Sequence, residues 1–263
     1  MSKSATFVSC GAVAASIVVA GVLVDRLLAA HAIVAGGFVL LAAAYLVGTF
    51  SAGSPLFGRV VRGRIDRPEV ALTFDDGPDP RFTPTISATL ARRGHRGTFF
   101  VLGARARDYP HVLSQVSADG HEIASHGDDH RILAFSPPAT VRAQLELAER
   151  AVKSVLGGPP APFFRAPHGV RSPWLGFVLR RCGYELCAWD GSVFDTANPG
   201  VDTIAARVEK TLRPGAIVLL HDGDGTGRGA SREQTVAALE RILDVLESRS
   251  LRSVAMSELV AAP

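Results

Sequence analysis

Two aspartates stand side by side in VALTFDDGPDP, residues 70–80, where an apolar run ends and a Gly-Pro break begins. Successive side chains of a regular strand point to opposite faces, so the break predicts a turn that brings Asp75 and Asp76 into one site. Two adjacent carboxylates oppose each other's ionisation when both are buried. A metal ion on one and an arginine on the other would remove that conflict, and one carboxylate would then be free to act as a base.

Two histidines separated by four positions, His126 and His130, occur in ASHGDDHRIL. On a helical turn this spacing places both imidazoles on one face, as a divalent metal ion requires. Asp76, from the end of a strand, can supply a third ligand. Two histidines and one carboxylate leave coordination positions open for water and substrate, and this set suits catalytic zinc or another divalent first-row ion.

An arginine follows two phenylalanines in FFRAPHG, residues 163–169. Arg165 can pair with Asp75 and keep that carboxylate ionised and oriented. Backbone amides beyond Pro167, near His168, can face a developing oxyanion. The segment is therefore a candidate for positioning both the base and the reacting group.

His221 closes the strongly apolar run AIVLLHD and is a candidate general acid, because imidazole titrates near neutral pH. An aspartate behind the ring would raise its pKa and fix its orientation. The segment AWDGSVFDT offers two such residues, Asp190 and Asp195, and the sequence leaves both as alternatives.

Short β-rich runs alternate with helical patterns from residue 70 onward, which predicts a mostly parallel sheet built from strand–helix units. The strand candidates are residues 70–74, 97–101, 121–125, 163–167, 185–190, 216–222 and 252–256. Helix start signals precede the later helical segments at Ser136-Pro137, at Ser172-Pro173 and at a capping box of Ser231 with Gln234. The chemically active side chains all fall at or beyond the C-terminal ends of these strands, the edge at which βα barrels bind ligands.

The N-terminal segment has a different composition, because residues 1–50 carry only three formal charges, on Lys3, Asp25 and Arg26. Residues 5–24 and 27–50 are apolar runs that each reach the roughly 20 residues needed to cross a bilayer as a helix. We therefore predict two transmembrane helices that form a hairpin. A signal peptide is the alternative, since Ala30-His31-Ala32 resembles a cleavage site.

Residues 51–67 form a glycine-containing connector with an excess of arginine. Its basic residues are Arg59, Arg62, Arg64 and Arg67. The pattern predicts a basic juxtamembrane linker that faces the cytoplasm and anionic headgroups, although a solvated linker would have the same composition.

The remaining composition gives weaker indications. A formal net charge of +3 over 263 residues, without a block of like charges, gives no reason to expect a nucleic-acid partner. Cys182 and Cys187 are read as small apolar residues rather than as a disulfide. The loop at residues 222–233 superficially fits a calcium-binding pattern, but it follows a strand rather than a helix, so we interpret it as a mobile loop beside the site.

Five motifs in order, FDDGP, HGDDH, RAPHG, WDGSVFD and LLHD, resemble the motif set of the polysaccharide deacetylase family, also called the NodB-homology domain or carbohydrate esterase family 4. The resemblance covers about residues 68–260 and places a deacetylase-like domain at residues 68–263. It implies a distorted (β/α) barrel of about seven strands, preceded here by the predicted hairpin.

The resemblance also implies residue roles. Asp75 would be the catalytic base, oriented by Arg165, and His221 the acid, supported by Asp195. Asp76, His126 and His130 would hold the metal ion. The substrate pocket would include Pro167, His168, Trp189 and Leu219, with Leu219 lining the acetyl pocket.

Three positions depart from the family pattern. Gly127 replaces the usual Ser or Thr after the first histidine of the second motif, which removes a side-chain hydrogen bond that would brace the turn. His168 stands where the third motif usually has an aromatic residue, and Thr196 where the fourth usually has tryptophan. The metal and acid–base residues are all present, whereas the walls of the groove differ.

The sequence thus predicts a metal-dependent hydrolase that removes an N-acyl group, most simply an acetyl group, from an amino sugar. The alternatives are a glycosidase and a membrane-anchored glycan-binding module without catalysis. Glycosidase carboxylates flank the scissile bond at about 5 to 9 Å, which adjacent aspartates do not easily do. A hairpin would return the chain to the cytoplasmic face, where a lipid-linked amino sugar is accessible, whereas an external domain would reach wall polysaccharide.

Overall fold

The computed structural model describes residues 3–260, apart from residues 192, 226 and 228. The strands of this part of the chain are β1 (Val60–Val61), β2 (Glu69–Asp75), β3 (Gly97–Val101), β4 (Glu122–Ser125), β5 (Phe163–Phe164), β6 (Glu185–Cys187), β7 (Ile217–His221) and β8 (Arg252–Ser253). The helices are α1 (Lys3–Phe50), α2 (Thr83–Arg92), α3 (Gly103–Asp108), α4 (Pro110–Ala118), α5 (Pro138–Leu156), α6 (Leu175–Arg181), α7 (Val201–Thr211), α8 (Glu233–Ser248) and α9 (Met256–Val260).

The described strands form one curled, parallel sheet in the order β1-β6-β5-β4-β3-β2-β7, and β8 pairs with β2. A single parallel bridge between Gly191 and Val218 joins the chain beyond β6 to β7. Helices follow most strands, as in a (β/α) barrel. The predicted α/β fold class is therefore found, as a curled half-barrel.

The N-terminal segment forms one helix where the sequence predicted two. Helix α1 is continuous for 48 residues and passes through Asp25 and Arg26 without a break. Neither residue disrupts helical geometry, and no proline lies nearby to end the helix, so the charge pair alone does not create a turn. The hairpin prediction is therefore wrong. Val18–Phe50 is long and apolar enough to cross a membrane, with a mean hydropathy of 2.2.

The chain divides into two compact units, Met1–Leu46 and Val47–Pro263, and the second contains the sheet. The connector at residues 51–67 is more than a linker, because β1 lies within it and pairs with β6. Val60 and Val61 are both buried in this pairing. The sequence did not predict β1, since two consecutive valines between arginines and glycines carry no strand periodicity.

Side chains on the two faces of the sheet enter two different apolar clusters. On the outer face, Phe74 and Phe99 stack with ring centroids 5.0 Å apart and belong to a cluster that includes residues of α2 and α8. On the inner face, smaller residues such as Ala71 and Ala124 pack with Met256 of α9. The two-residue period of the strands therefore decides which side chains enter the barrel interior.

Several predicted boundaries are too long. Strand β5 ends at Phe164 rather than residue 167, and β6 ends at Cys187 rather than residue 190. In both cases regular pairing stops before the candidate site residues, and the chain beyond β6 meets the sheet again at the Gly191–Val218 bridge. The predicted capping box of α8 does not form, because Gln234 accepts a hydrogen bond from the distant Gly200 N–H at 2.6 Å. Cys182 and Cys187 are free, as the sequence analysis assumed.

Candidate active site

The polar residues collect at the C-terminal edge of the sheet, around the end of β2. Leu72 and Phe74 pack on the outer face, so the strand period directs Thr73 and Asp75 inward. Parallel pairing places Asp75 beside His221 of β7. The register of the two central strands therefore brings a carboxylate and an imidazole to the same end of the barrel.

Asp76 reaches the same site because the strand ends abruptly. Its backbone φ is +78°, in the left-handed region, so its side chain does not follow the alternation of β2. His126 Nε2 lies 3.4 Å from Asp76 Oδ1 and 3.9 Å from Asp75 Oδ2, so both carboxylates face one ring. A glycine is needed next, since a Cβ on Gly77 would lie 2.1 Å from the Asp222 carboxylate.

His126 and His130 converge through a loop rather than through the helical turn that their spacing suggested. Gly127 has a φ of +83° and His130 a φ of +61°, which an α-helix does not contain. The loop is braced from α5, because Gln144 Oε1 accepts hydrogen bonds from the N–H groups of Asp128 and Asp129 at 2.9 and 3.2 Å. Gln144 thus stabilises a turn in which Gly127 provides no side-chain hydrogen bond.

Asp76, His126 and His130 have the geometry of a metal-binding set. Their ligand atoms all lie within 4.8 Å of one another, and His130 Nε2 is 2.9 Å from Asp76 Oδ1. His126 Nδ1 donates to the Arg165 carbonyl at 2.8 Å, which leaves Nε2 available as a ligand. Within the described residues, Asp76 Oδ1 is buried and accepts no well-formed hydrogen bond. An unsatisfied anionic oxygen between two imidazoles is the environment that a divalent ion would complete.

Burial alone would raise the pKa of Asp76. The neighbouring His126 and His130 rings outweigh this effect and hold the pKa well below its usual range. Asp76 is therefore an anion, which is the form that a metal ion requires.

Asp75 has a different cationic partner. Arg165 is fully buried, and its Nη1 donates to Asp75 Oδ1 at 2.7 Å and to Thr73 Oγ1 at 2.8 Å. Its Nη2 donates to the Ala188 carbonyl at 3.2 Å, and the guanidinium lies 4.0 Å from the centroid of the Phe100 ring. These contacts fix one Asp75 oxygen and leave Oδ2 directed toward the metal-binding set.

Asp195, and not Asp190, supports His221. Asp195 Oδ1 lies 2.8 Å from His221 Nδ1, and Oδ2 accepts from the His221 N–H and from Thr235 Oγ1, each at 2.9 Å. Burial would lower the pKa of His221, but Asp195 outweighs it and raises the pKa to about 9, with Asp75 and Asp76 adding to the effect. The ring is therefore protonated at neutral pH.

Asp190 lies elsewhere in the fold. It accepts from Arg213 Nη2 at 2.7 Å and from the Ile217 N–H at 2.8 Å, at the start of β7. The choice between the two aspartates depended on how the chain folds beyond β6, which local sequence does not encode.

These groups open into one pocket with a volume of about 410 Å³. Of the predicted substrate-binding residues, His168, Trp189 and Leu219 line it, whereas Pro167 is buried and does not line it. The pocket is also lined by residues without a role predicted from the sequence, among them Val193, Phe194, Asp224 and Arg232. Phe194 is 62% exposed with a φ of +53°, so it forms part of an open rim.

The turn after β5 lies at the pocket, which His168 and Gly169 line. His168 has a φ of +57°, and the N–H groups of Gly169 and Val170 donate to the carbonyls of Ala166 and Pro167. Among these three consecutive amides, and within the part of the chain described, only the His168 N–H has no such acceptor. The His168 ring packs on His130, with centroids 4.3 Å apart.

Sequence reasoning also missed polar groups that support the site from behind. Thr73 and Thr235 hold Arg165 and Asp195, but threonines in a strand or a helix give no signal of this role. Asp222 is fully buried behind Gly77, accepts from Thr83 Oγ1 at 2.5 Å, and has a pKa raised by burial to about 7. The loop after it is organised by Asp224, which accepts backbone N–H groups at positions 227, 229 and 230.

Comparison with known proteins gives a consistent result. Residues 62–187 match the family model described as polysaccharide deacetylase. A chitooligosaccharide deacetylase of Sinorhizobium fredii is 37% identical over 195 residues, which cover 72% of this chain and 91% of that protein. A peptidoglycan-N-acetylglucosamine deacetylase of Bacillus cereus is 36% identical over 197 residues, which cover 73% of this chain and 87% of that protein.

Solved structures show the same similarity in three dimensions. The crystal structure of a peptidoglycan N-acetylglucosamine deacetylase, in complex with a substituted N-oxidanyl-benzamide, has a TM-score of 0.70 and 29% sequence identity. The match covers 76% of this chain and 91% of that one. The matched region thus spans nearly the full length of each of these three related proteins.

We expect His130→Ala or Asp76→Ala to weaken zinc binding by about 100-fold or more, since even outer-sphere changes at metal sites cost roughly 10- to 100-fold. His111→Ala, at an exposed histidine on α4, is the matched control and should bind zinc like the wild type. Competition with a chromophoric chelator measures the affinity. Undiminished binding in both site variants would contradict this assignment.

Proposed function

Because this chain belongs to the polysaccharide deacetylase family, we propose that it hydrolyses the N-acetyl group of an N-acetylglucosamine residue in an oligosaccharide or in peptidoglycan. The observation that carries the proposal is the convergence of three units on one pocket. They are the Asp75–Arg165 pair, the metal-binding set of Asp76, His126 and His130, and the His221–Asp195 pair.

The cofactor is a divalent ion, with zinc the best match to two imidazoles and one carboxylate. When bound, it supplies a Lewis acid that polarises the acetamide carbonyl and acidifies a water molecule. Asp75, held by Arg165 through Oδ1, takes the proton of the attacking water on Oδ2. The His168 N–H is the chain's own donor to the developing oxyanion.

His221 is the general acid that protonates the departing amine. Its raised pKa keeps it protonated at neutral pH, and Asp195 holds the ring by Nδ1, so that Nε2 is the atom that delivers the proton. Leu219 and Trp189 provide apolar walls beside these groups. Amide hydrolysis needs the departing amine to be protonated, and this arrangement provides the proton.

The two rival functions are less well supported. A glycosidase needs two carboxylates on either side of a glycosidic bond, but here Asp76 belongs to the metal-binding set and Asp75 is paired with Arg165. A binding module without catalysis would have no need for a complete acid–base set. An assay of acetate release distinguishes both of these functions from a deacetylase.

We expect the metal-loaded protein to release acetate from N-acetylglucosamine oligosaccharides or peptidoglycan fragments. Asp75→Asn should lower the rate by about 10²- to 10⁴-fold, because it removes the base while keeping the side-chain shape. Retained zinc in this variant would separate lost chemistry from misfolding. Asp244→Asn, at an exposed position on α8, is the control and should be fully active.

Other outcomes of this assay identify the rivals. Release of reducing ends in place of acetate would indicate a glycosidase. The absence of acetate from every substrate, with metal bound, would indicate a binding module. Full activity of Asp75→Asn would contradict the proposed base.

The activity should depend on pH through His221. The proton is present below its pKa and lost above it, so kcat/KM should fall as the pH rises through about 9. Asp195→Asn removes the carboxylate that raises this pKa, and the alkaline limb should move down by about two pH units. Asp190→Asn should leave the profile unchanged, because Asp190 contacts Arg213 instead. A shift in the Asp190 variant alone would contradict the pairing.

The N-terminal helix is proposed to be a membrane anchor. Residues 27–46, which precede the last turn of α1, are about 30 Å long as a helix and match a hydrocarbon core of about 30 Å. A single crossing places the residues before it and the catalytic unit on opposite faces of the membrane. An external catalytic unit would have access to peptidoglycan, the substrate named for one relative.

A cytoplasmic catalytic unit is the alternative, and a specific observation favours it. Arg59, Arg62, Arg64 and Arg67 follow the helix, and arginines close to a span are typical of the cytoplasmic side. The substrate would then be a lipid-linked amino sugar at the inner leaflet.

Paired C-terminal reporters, one active only outside the cytoplasm and one only within it, distinguish these locations in intact cells. We expect the external reporter to be active. A cytoplasmic signal would exclude peptidoglycan and direct the acetate assay to lipid-linked amino sugars. Removal of the helix by proteolytic processing would show that it is a signal peptide and would contradict the anchor.

A further inference from the structure

The outer face of α6 is apolar and aromatic where a solvated helix would be polar. Leu175, Val178 and Leu179 are buried against the sheet, whereas Trp174 at the N-terminus of the helix and Phe177 are 52% and 54% exposed. Their spacing of three positions puts both aromatic side chains on one side of the helix. Large apolar side chains that adjoin one another on a surface indicate a contact with another apolar phase.

The segment just before β1 extends this surface. The Gly176 N–H donates to the Phe57 carbonyl at 2.9 Å, and a Cβ on Gly58 would lie 2.9 Å from Gly176 Cα. This close approach of two glycine backbones holds the segment against α6. Leu56, which is 55% exposed, and the exposed Arg59 therefore flank the helix.

Arginines surround the apolar residues. Arg180 and Arg181 end α6, both exposed, and the Arg181 guanidinium lies 5.8 Å from the Phe177 ring centroid. Arg59 and Arg180 line one cleft of about 270 Å³, together with Glu185. Two guanidinium groups against one carboxylate leave this cleft with an excess of positive charge, which suits a phosphate group.

The surface is also close along the chain to the apolar helix. Val47–Phe50, the last turn of α1, belongs to the same compact unit as α6. The Arg171 N–H donates to the Thr49 carbonyl at 3.1 Å, and Arg171 Nη1 donates to the Ser54 carbonyl at 2.9 Å. Arg171 is buried and precedes Trp174 by three residues, so the end of α1 is tied to the start of α6.

We propose that Leu56, Arg59, Trp174, Phe177, Arg180 and Arg181 form a membrane-docking surface that inserts into the headgroup layer of a bilayer containing anionic phospholipid. Tryptophan is enriched at the level of the headgroups, and arginines near a membrane attract anionic lipids. Apolar side chains among basic residues bind the interface through both effects. The proposal rests on the anchor proposed above, which keeps this surface near the bilayer.

The two tryptophans of the chain allow a direct test. Trp189→Phe leaves Trp174 as the single fluorophore, and Trp174→Phe leaves Trp189, in the substrate pocket, as the matched control. The full-length variants are placed in nanodiscs of phosphatidylcholine and phosphatidylglycerol that carry a spin-labelled headgroup. The fluorescence of Trp174 should be quenched at least about twofold more than that of Trp189. A spin label on the headgroup quenches a tryptophan only when the ring lies at the depth of the headgroups.

Charge is tested in the same system. Arg59→Gln, Arg180→Gln and Arg181→Gln together should reduce Trp174 quenching, and the reduction should vanish when phosphatidylglycerol is omitted. The control is the double variant Arg92→Gln with Arg249→Gln. Arg92 is an exposed residue of α2, and Arg249 is the exposed residue that follows α8. This variant should not change the quenching of Trp174.

Flotation of the full chain with lipid separates this proposal from the anchor. A chain that floats but shows equal quenching of both tryptophans would overturn the docking surface and leave the anchor intact. A chain that does not float would overturn both. The protein could instead form dimers in detergent as its concentration rises, with Trp174 shielded in the dimer. That result would assign the surface to a second copy of the chain and would also overturn the proposal.

Discussion

The buried ion pair between Arg165 and Asp75 is the interaction on which the site depends. Arg165 is fully buried inside the curled sheet, where an unpaired guanidinium would be strongly unfavourable. Asp75 neutralises it, and Thr73 and Ala188 satisfy other N–H groups. Because Asp75 is paired with Arg165, the adjacent carboxylate of Asp76 needs a different positively charged partner. A divalent ion held between Asp76, His126 and His130 would meet that requirement, so one electrostatic constraint separates the proposed base from the candidate metal-binding set.

Backbone geometry makes this separation possible. An uninterrupted strand would send Asp76 outward, into the apolar layer beneath α2 and α8. The left-handed conformation of Asp76 redirects it, and two glycines permit the turn by allowing close approach. Gly77 accommodates the Asp222 carboxylate, and a Cβ on Gly223 would lie 2.3 Å from the Asp76 carbonyl oxygen. The loop after β7 therefore packs closely against the loop after β2, which the pairing of β2 with β7 allows.

The departures from the family pattern are partly compensated within the fold. Gly127 provides no side-chain hydrogen bond, but Gln144 of α5 braces the same turn through two backbone amides. His168 replaces an aromatic side chain and still packs on the His130 ring. Thr196, smaller than tryptophan, lines the pocket and leaves the rim to Phe194. The candidate metal-binding and acid–base residues therefore lie together at one pocket, whereas residues that line it differ from the family pattern.

From the residues alone, the candidate acid–base and metal-ligating side chains could be assigned to one edge of a sheet, because polar residues that follow apolar runs mark the ends of parallel strands. Asp76 was predicted to meet His126 and His130 from its place at a strand end and from the four-residue spacing of the histidines. Their ligand atoms do lie together, although a loop rather than a helical turn brings the histidines there. The family resemblance implied Asp195 behind His221, but the residues themselves left Asp190 equally possible. The contacts of Asp195 with His221 and of Asp190 with Arg213 come from the tertiary structure. It likewise decided that α1 is continuous, that Val60 and Val61 form a strand, and that Gln234 bonds Gly200 instead of capping α8. Each of these depends on a partner distant in the chain, or on the absence of a local breaker, and periodicity in a short segment contains no information about such partners.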